Sequence, residues 1–179
     1  TSLTTVTIGA KVKSMGSSSF AGCSSLADVT IKEGCTRIGA YCFSSCTALK
    51  SVTIPNSVET IGEGAFQDCK KLGAIDIPKS VDTIGDEAFS GCTDLSKAIL
   101  GEGVISIGKS AFSGCTNLSE VKLGEGLNTI GYRAFYGCTS LKEVVIPDNV
   151  TTLGVNNTSY NYGDHFRGCT SLTTVTIGA

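Results

Sequence analysis

The sequence predicts a solenoid, of mixed α/β or mostly β structure, with about eight turns of a 23-residue unit. Leucine recurs every 23 residues from Leu3 to Leu141, and the next member, Leu172, follows after 31 residues. All seven phenylalanines keep the same phase, and a cysteine stands three residues after each of them. Because a unit of this length cannot bury its own apolar side, successive units are expected to stack around a shared core.

Each unit begins with the pattern L-x-x-V-x-I, which alternates at period two and is rich in β-branched residues. This segment predicts a short strand, and the strands of successive turns are expected to form a parallel sheet on the inner face. A turn follows, marked either by proline, as at Pro55, Pro78 and Pro147, or by Gly-Glu-Gly.

The second half of the unit carries the patterns V-x-x-I-G and A-F-x-x-C. The first predicts another short extended stretch, with a glycine where the backbone needs positive φ or close packing. The second is too short for a full helix, so it predicts a short turn or 3₁₀ segment on the convex face.

The motifs A-F-x-x-C-x-x-L-x-x-V-x-I-P and V-x-x-I-G resemble those of the BspA-like, or Treponema-type, leucine-rich repeat family. The resemblance covers nearly the whole chain and fails only between Val155 and His165. It implies a leucine-rich repeat solenoid. It also implies a surface or secreted protein that binds other molecules, in a family with few shared functional residues.

Length and composition predict one solenoid domain over residues 1–179, with 41% hydrophobic residues to form its core. The net charge is −2 and the charges are scattered, so nucleic acid is not expected as a partner. No apolar run approaches the ~20 residues that cross a bilayer, so direct membrane insertion is not expected. The chain opens and closes on TSLTTVTIGA, without a polar capping unit. This predicts either a fragment of a longer protein or head-to-tail self-association of the open ends.

All nine cysteines occupy apolar positions of the repeat. Seven share one slot, and Cys35 and Cys42 replace the valine and alanine of sibling units. We therefore expect buried, reduced thiols that behave as small hydrophobic residues. Zinc is not expected, because only Cys42 and Cys46 come close to a paired-ligand spacing. Disulfides between neighbouring turns stay open as an alternative, since the strand spacing falls within the Cα range for a bridge.

Two features resemble catalytic or cofactor motifs, and neither predicts an enzyme. Residues 103–110, GVISIGKS, match the phosphate-loop pattern, but Gly108 is simply the glycine of the repeat and no proper helix follows. His165 is the only histidine, so no Ser-His-Asp triad or multi-histidine metal site can form within the chain. We expect it to be partly exposed beside the inserted segment. No cofactor, metal or catalytic residue is expected.

Two surfaces are candidates for partner binding. The outward side of the inner-face sheet follows from the strand alternation, and its centre carries Lys97, Ile99, Glu120, Lys122, Glu143 and Val145. The alternative is an ordinary solvated face with cross-strand charge pairs, such as Lys97 beside Glu120. The second surface is the inserted loop of the seventh repeat, residues 155–165, with Asn156, Asn157, Tyr160, Asn161, Tyr162 and Asp164. Its alternative is a tolerated loop without a binding role.

These features favour a non-catalytic binding or adhesion module of a cell-surface or secreted, extracellular protein. The expected partner is a protein or a glycan. The other hypothesis is a structural spacer or self-assembling repeat element that stacks through its uncapped ends.

Overall fold

The computed structural model describes residues 2–154 and 164–178 and shows a parallel β-solenoid, with no helix among those residues. A complete turn contains a longer strand and then a two-residue strand. The longer strands are β1 (Thr5–Ile8), β2 (Asp28–Ile31), β4 (Ser51–Thr53), β6 (Ala74–Ile77), β8 (Lys97–Leu100), β10 (Glu120–Lys122), β12 (Glu143–Ile146) and β14 (Thr174–Ile177). The short strands are β3 (Arg37–Ile38), β5 (Thr60–Ile61), β7 (Thr83–Ile84), β9 (Ser106–Ile107), β11 (Thr129–Ile130) and β13 (Thr152–Leu153).

The number of complete turns differs from the predicted eight. Six turns carry both strands. In the first turn, Ser14 forms only an isolated bridge with Arg37 in place of a second strand, and the last turn contributes β14 alone among the described residues. The leucine spacing counts such partial turns as whole ones, which explains the difference.

The A-F-x-x-C segments form turns, as predicted, and none of those described is a 3₁₀ helix. Their backbone N–H groups alternate between two kinds of acceptor. The Gln67 N–H donates to the Gly64 carbonyl within its own turn, whereas the Phe66 N–H donates to the Ala88 carbonyl of the next turn at 2.8 Å. Because half of the donors bond between turns, a continuous helical series of local hydrogen bonds cannot form.

The parallel pairing advances by one 23-residue unit at each step except the last, where the paired residues of β12 and β14 are 31 residues apart. The short strands form one uninterrupted six-stranded sheet from β3 to β13. The longer strands form three separate sheets instead, with breaks between β4 and β6 and between β10 and β12. The inner-face sheet is therefore divided, while the second sheet is continuous.

A proline follows the second of the two strands at each break in the sheet of longer strands. Where the residue after a strand has an N–H, it donates to the last residue of the preceding strand, as Lys32, Gly101 and Gly178 do at 2.9–3.1 Å. Pro78 and Pro147 occupy this position after β6 and β12 and have no N–H to donate. The bond that would close each of these two pairings is missing. Pro55 stands at the equivalent position after Ile54, yet β2 pairs with β4, so the missing bond alone does not cause a break.

The core is a column of identical slots inside the solenoid. The phenylalanine rings of successive turns are nearly parallel, with centroids 5.2–5.7 Å apart from Phe20 through to Phe166. The five central rings, from Phe43 to Phe135, are fully buried. The end rings Phe20 and Phe166 are only partly buried, because each has one neighbouring turn to cover it.

The glycine of V-x-x-I-G is required by close packing in the central turns. A Cβ placed on Gly62, Gly85, Gly108 or Gly131 would lie 2.4–2.7 Å from a backbone atom of the preceding turn, although none of the four has positive φ. Gly16 holds the same slot in the first turn, where the nearest atom to such a Cβ is the Ser19 hydroxyl oxygen at 3.5 Å. Among the described glycines of this slot, only Gly154 has a positive φ, of 43°.

The cysteine slot is buried as predicted in all but the terminal turns. Seven cysteines are buried, whereas Cys23 and Cys169 are partly exposed. The thiols also make hydrogen bonds that the sequence did not reveal. Each slot cysteine from Cys46 to Cys169 donates to the phenylalanine carbonyl of the preceding turn at 3.1–3.2 Å, as Cys92 does to Phe66.

Burial should make the central thiols unreactive in the native protein. Burial raises the pKa of Cys42 to about 12, of Cys46 to about 11 and of Cys115 to about 12, so at pH 8 their thiolate fraction is on the order of 10⁻³ to 10⁻⁴. The neighbouring thiol of Cys138 lowers the pKa of Cys169, which is also partly exposed. With a chromogenic disulfide reagent at pH 8, we expect Cys169 and the partly exposed Cys23 to react in seconds to minutes and the rest only on unfolding.

The thiol count has a direct control. The same titration in denaturant should give nine groups, whereas in the native protein the seven buried cysteines should stay protected. A denatured count well below nine would show disulfides between turns and contradict the reduced-thiol interpretation.

Candidate binding surfaces

The outward side chains of the longer strands alternate with core side chains, as the period of two predicted. In β12, Val144 is 1% exposed and Val145 is 61% exposed. The six residues proposed for the centre of this face occupy the outward positions of β8, β10 and β12. The structure places them on one surface, and their role in binding stays a prediction.

One charge pair at the centre of the face is already satisfied within the chain. The Lys97 Nζ lies 2.8 Å from the Glu120 carboxylate, on strands whose register sets the two residues opposite each other. Both side chains are about half exposed, so this pair contributes under about 1 kcal/mol to stability. Lys122 lies opposite Ile99 in the same register and has no ion pair in the described part of the chain.

A cleft opens on the same face where β4 and β6 fail to pair. Its volume is about 240 Å³, and its lining consists of Val52, Thr53, Ile54, Ala74, Asp76, Ile77 and Pro78. The sequence interpretation missed this cleft. Pro78 was not a sufficient signal, because Pro55 holds the equivalent position after β4 and β4 still pairs with β2.

Most of the inserted loop lies outside the described residues, including Asn156, Asn157, Tyr160, Asn161 and Tyr162. Asp164, at its end, is described and is held by two arginines.

The carboxylate of Asp164 accepts hydrogen bonds from Arg133 at 3.2 Å and from Arg167 at 3.5 Å. Partial desolvation opposes ionisation, but the two guanidinium groups together hold the pKa of Asp164 below its ordinary value. Arg133 also lies over the rings of Tyr132 and Tyr136, 5.0 Å from each centroid. The end of the insertion is therefore fixed to the preceding turn.

The expectation that His165 is partly exposed is wrong, because the side chain is 5% exposed. Its Nδ1 lies 3.0 Å from the carbonyl oxygen of Gly131, which accepts the Nδ1–H. Sibling units have alanine in this slot. The larger imidazole fits here because Gly154 has no side chain. A Cβ there would lie 1.9 Å from the His165 Cε1.

Metal-ligating residues do not cluster in residues 2–154 and 164–178: no three of His, Cys, Asp or Glu come together in a way that could hold an ion. Across the same residues, no helix has the length and apolar character needed to cross a bilayer.

The repeats match the family model for the BspA type leucine-rich repeat region in six copies, over residues 1–101 and 36–163. The chain belongs to the BspA-type leucine-rich repeat family. A T. pallidum leucine-rich repeat protein of known structure is 26% identical to this BspA-type chain, with a TM-score of 0.76 over 99% of this chain and 74% of the other. A leucine-rich repeat protein from Bacteroides capillosus is 33% identical, with a TM-score of 0.50 over 60% of this chain and 78% of the other. A comparison with curated proteins gives no match.

Family membership confirms the leucine-rich repeat solenoid that the motifs predicted. The fold of BspA-type repeats is generally a non-enzymatic scaffold, and the matching family is not a catalytic one. The assignment says nothing about which side chains bind, because that depends on the variable outward positions of each turn.

Proposed function

We propose that this protein is a non-catalytic binding or adhesion module of a cell-surface or secreted protein, and that it recognises a protein or glycan through the outward face of β8, β10 and β12. The observation that carries the proposal is the set of outward side chains on β8, β10 and β12, which is in register between β8 and β10 and lies outside the buried core. Leucine-rich repeat proteins generally bind partners, which supports the same function.

The composition of this face supports recognition of a partner that carries charges of both signs. Lys97 and Glu120 neutralise each other, whereas Lys122 and Glu143 have no ion pair within the described residues. Val145 adds an apolar contact, with 61% of its surface exposed. A complementary partner would place an anion on Lys122, a cation on Glu143 and an apolar group on Val145.

Reversing one charge on the face tests this proposal. Lys122→Glu should weaken partner binding at least tenfold, because like charges are then placed opposite each other. The partner would first be captured with immobilised wild-type protein on a glycan array and from a panel of surface proteins, and its affinity then measured by calorimetry.

Lys109→Glu is the matched control, since Lys109 is exposed but lies on the turn before the A-F-x-x-C segment. Its affinity should equal that of the wild type. Equal affinities for both variants and the wild type would overturn the assignment of the site to this face.

The inserted loop is a second candidate surface, because the Arg133–Asp164 pair fixes its end against the solenoid. Deleting residues 155–162 restores the spacing of the sibling units and keeps Asp164 and His165. We expect the variant to fold and to lose part of the partner affinity. Unchanged affinity in a folded variant would remove the loop from the binding surface.

The spacer or self-assembly hypothesis gives a different result in sedimentation. In β14, Val175 is 40% and Ile177 is 64% exposed, whereas the equivalent Val144 and Ile146 of β12 are 1% exposed. Stacking of chains through such strands predicts particles that grow with protein concentration. A constant sedimentation coefficient would contradict it.

A further inference from the structure

We propose that the cleft between β4 and β6 binds a single basic side chain, lysine or arginine, of a protein partner. The inference deepens the proposed binding function, because the cleft opens on the same face. It identifies the partner's contact group by its chemistry.

The size of the cleft suits one side chain. Its volume of about 240 Å³ lies below the roughly 300–1,000 Å³ typical of cofactor and small-molecule pockets. Its lining comes from β4, β6 and the residues directly after them, and these two strands do not pair. The cleft is thus formed by the backbone of two unpaired strands.

The chemistry of the lining matches a long side chain with a charged end. The accessible apolar surface of Ala74 and Pro78 can cover part of an aliphatic stem, whereas Val52, Ile54 and Ile77 are core residues at most 8% exposed. Asp76 is an exposed outward residue of β6, and in the described part of the chain its carboxylate has no ion pair. The nearest cation of the face, Lys97, is already paired with Glu120 at 2.8 Å.

Other ligands fit the lining poorly. A divalent cation needs several oxygen ligands, and the cleft offers one carboxylate and the hydroxyl of Thr53. No aromatic side chain lines the cleft, so a sugar ring would have no surface on which to stack. An anionic group would meet the charge of Asp76. A basic side chain is the occupant that satisfies both the apolar walls and the carboxylate.

The test uses short capped peptides, one with a single arginine and one with citrulline, its neutral isostere. Backbone amide shifts of the full chain would be followed by NMR as each peptide is added. The arginine peptide should shift the amides around Thr53 and Asp76 with millimolar affinity, and the affinity should fall at least threefold between 20 mM and 500 mM salt. The citrulline peptide should bind at least fivefold more weakly.

Three variants complete the experiment. Asp76→Asn should weaken arginine-peptide binding at least fivefold, and Ala74→Leu should abolish it by filling the cleft without changing any charge. Asp28→Asn is the matched control, because Asp28 is an exposed outward aspartate of β2 away from the cleft, and it should leave the affinity unchanged. Equal binding of the citrulline peptide, or equal losses in the two aspartate variants, would overturn the proposal.

Failure of this inference can be distinguished from failure of the proposed function. If Lys122→Glu abolishes capture of the partner while the arginine peptide leaves the cleft amides unmoved, the binding face stands and the cleft assignment falls. If the peptide moves those amides and Lys122→Glu has no effect on capture, the cleft stands and the face assignment falls.

Discussion

Gly108→Ala is expected to destabilise the solenoid by about 3 kcal/mol, near the upper end for overpacking substitutions. The added methyl would lie 2.4 Å from the Asp86 backbone nitrogen and 2.5 Å from the Gly85 carbonyl carbon. These are backbone atoms of the preceding turn, so relief requires the two turns to separate, with loss of the β7–β9 pairing. Urea denaturation followed by circular dichroism measures the change.

Gly16→Ala is the control in the same slot of the repeat. Its added methyl would meet only the Ser19 hydroxyl oxygen at 3.5 Å, and Gly16 has no positive φ. We expect a change within about 0.5 kcal/mol of zero, or a small stabilisation from the reduced freedom of the unfolded chain. Similar losses in the two variants would show that the slot needs glycine for a reason other than the close approach of turns.

Phe89→Ala is expected to cost about 3–5 kcal/mol, the usual range for removing a buried aromatic side chain. Phe89 is fully buried and lies between the parallel rings of Phe66 at 5.3 Å and Phe112 at 5.2 Å. Its loss leaves a cavity that the two neighbouring rings cannot fill, because their own turns hold them in place. Thermal and urea unfolding would both report the loss.

Phe20→Ala removes the same side chain from the first turn. Phe20 is partly buried and stacks on Phe43 alone among the described rings. We expect less than half of the loss at Phe89, since less apolar surface returns to water. If both substitutions lowered the free energy of unfolding by the same amount, the stability of the core would not be a sum of contacts between neighbouring turns.

The sequence predicted the features that are determined inside one repeat. The alternation of β12 is an example, because the period of two assigns Val144 to the core and Val145 to the surface without knowledge of any neighbour. The cysteine and phenylalanine slots were predicted for the same reason. Their shared spacing requires that equivalent residues lie above one another.

The features that depend on contacts between turns were not predictable from one unit. The segment at Phe66 was predicted as a turn or a 3₁₀ segment, and what decides for the turn is the Phe66 N–H, which donates to the Ala88 carbonyl of the next turn. The burial of His165 depends on the absence of a side chain at Gly154. The cleft at Asp76 depends on the missing pairing between β4 and β6. In each case, the group that determines the local structure belongs to a different turn or lies on the other side of the insertion.

The alternation of core and outward positions also determines how such a protein can diversify. Stability depends on slots such as those of Phe89 and Gly108, whereas the surface depends on positions such as Lys122 and Val145. Mutations can therefore change what the face recognises while the fold is kept. Duplication of one unit would lengthen the face by about 4.8 Å, the spacing of neighbouring strands, and leave the earlier contacts in place. A lineage that carries this fold can thus acquire a new partner by single substitutions or by adding a turn.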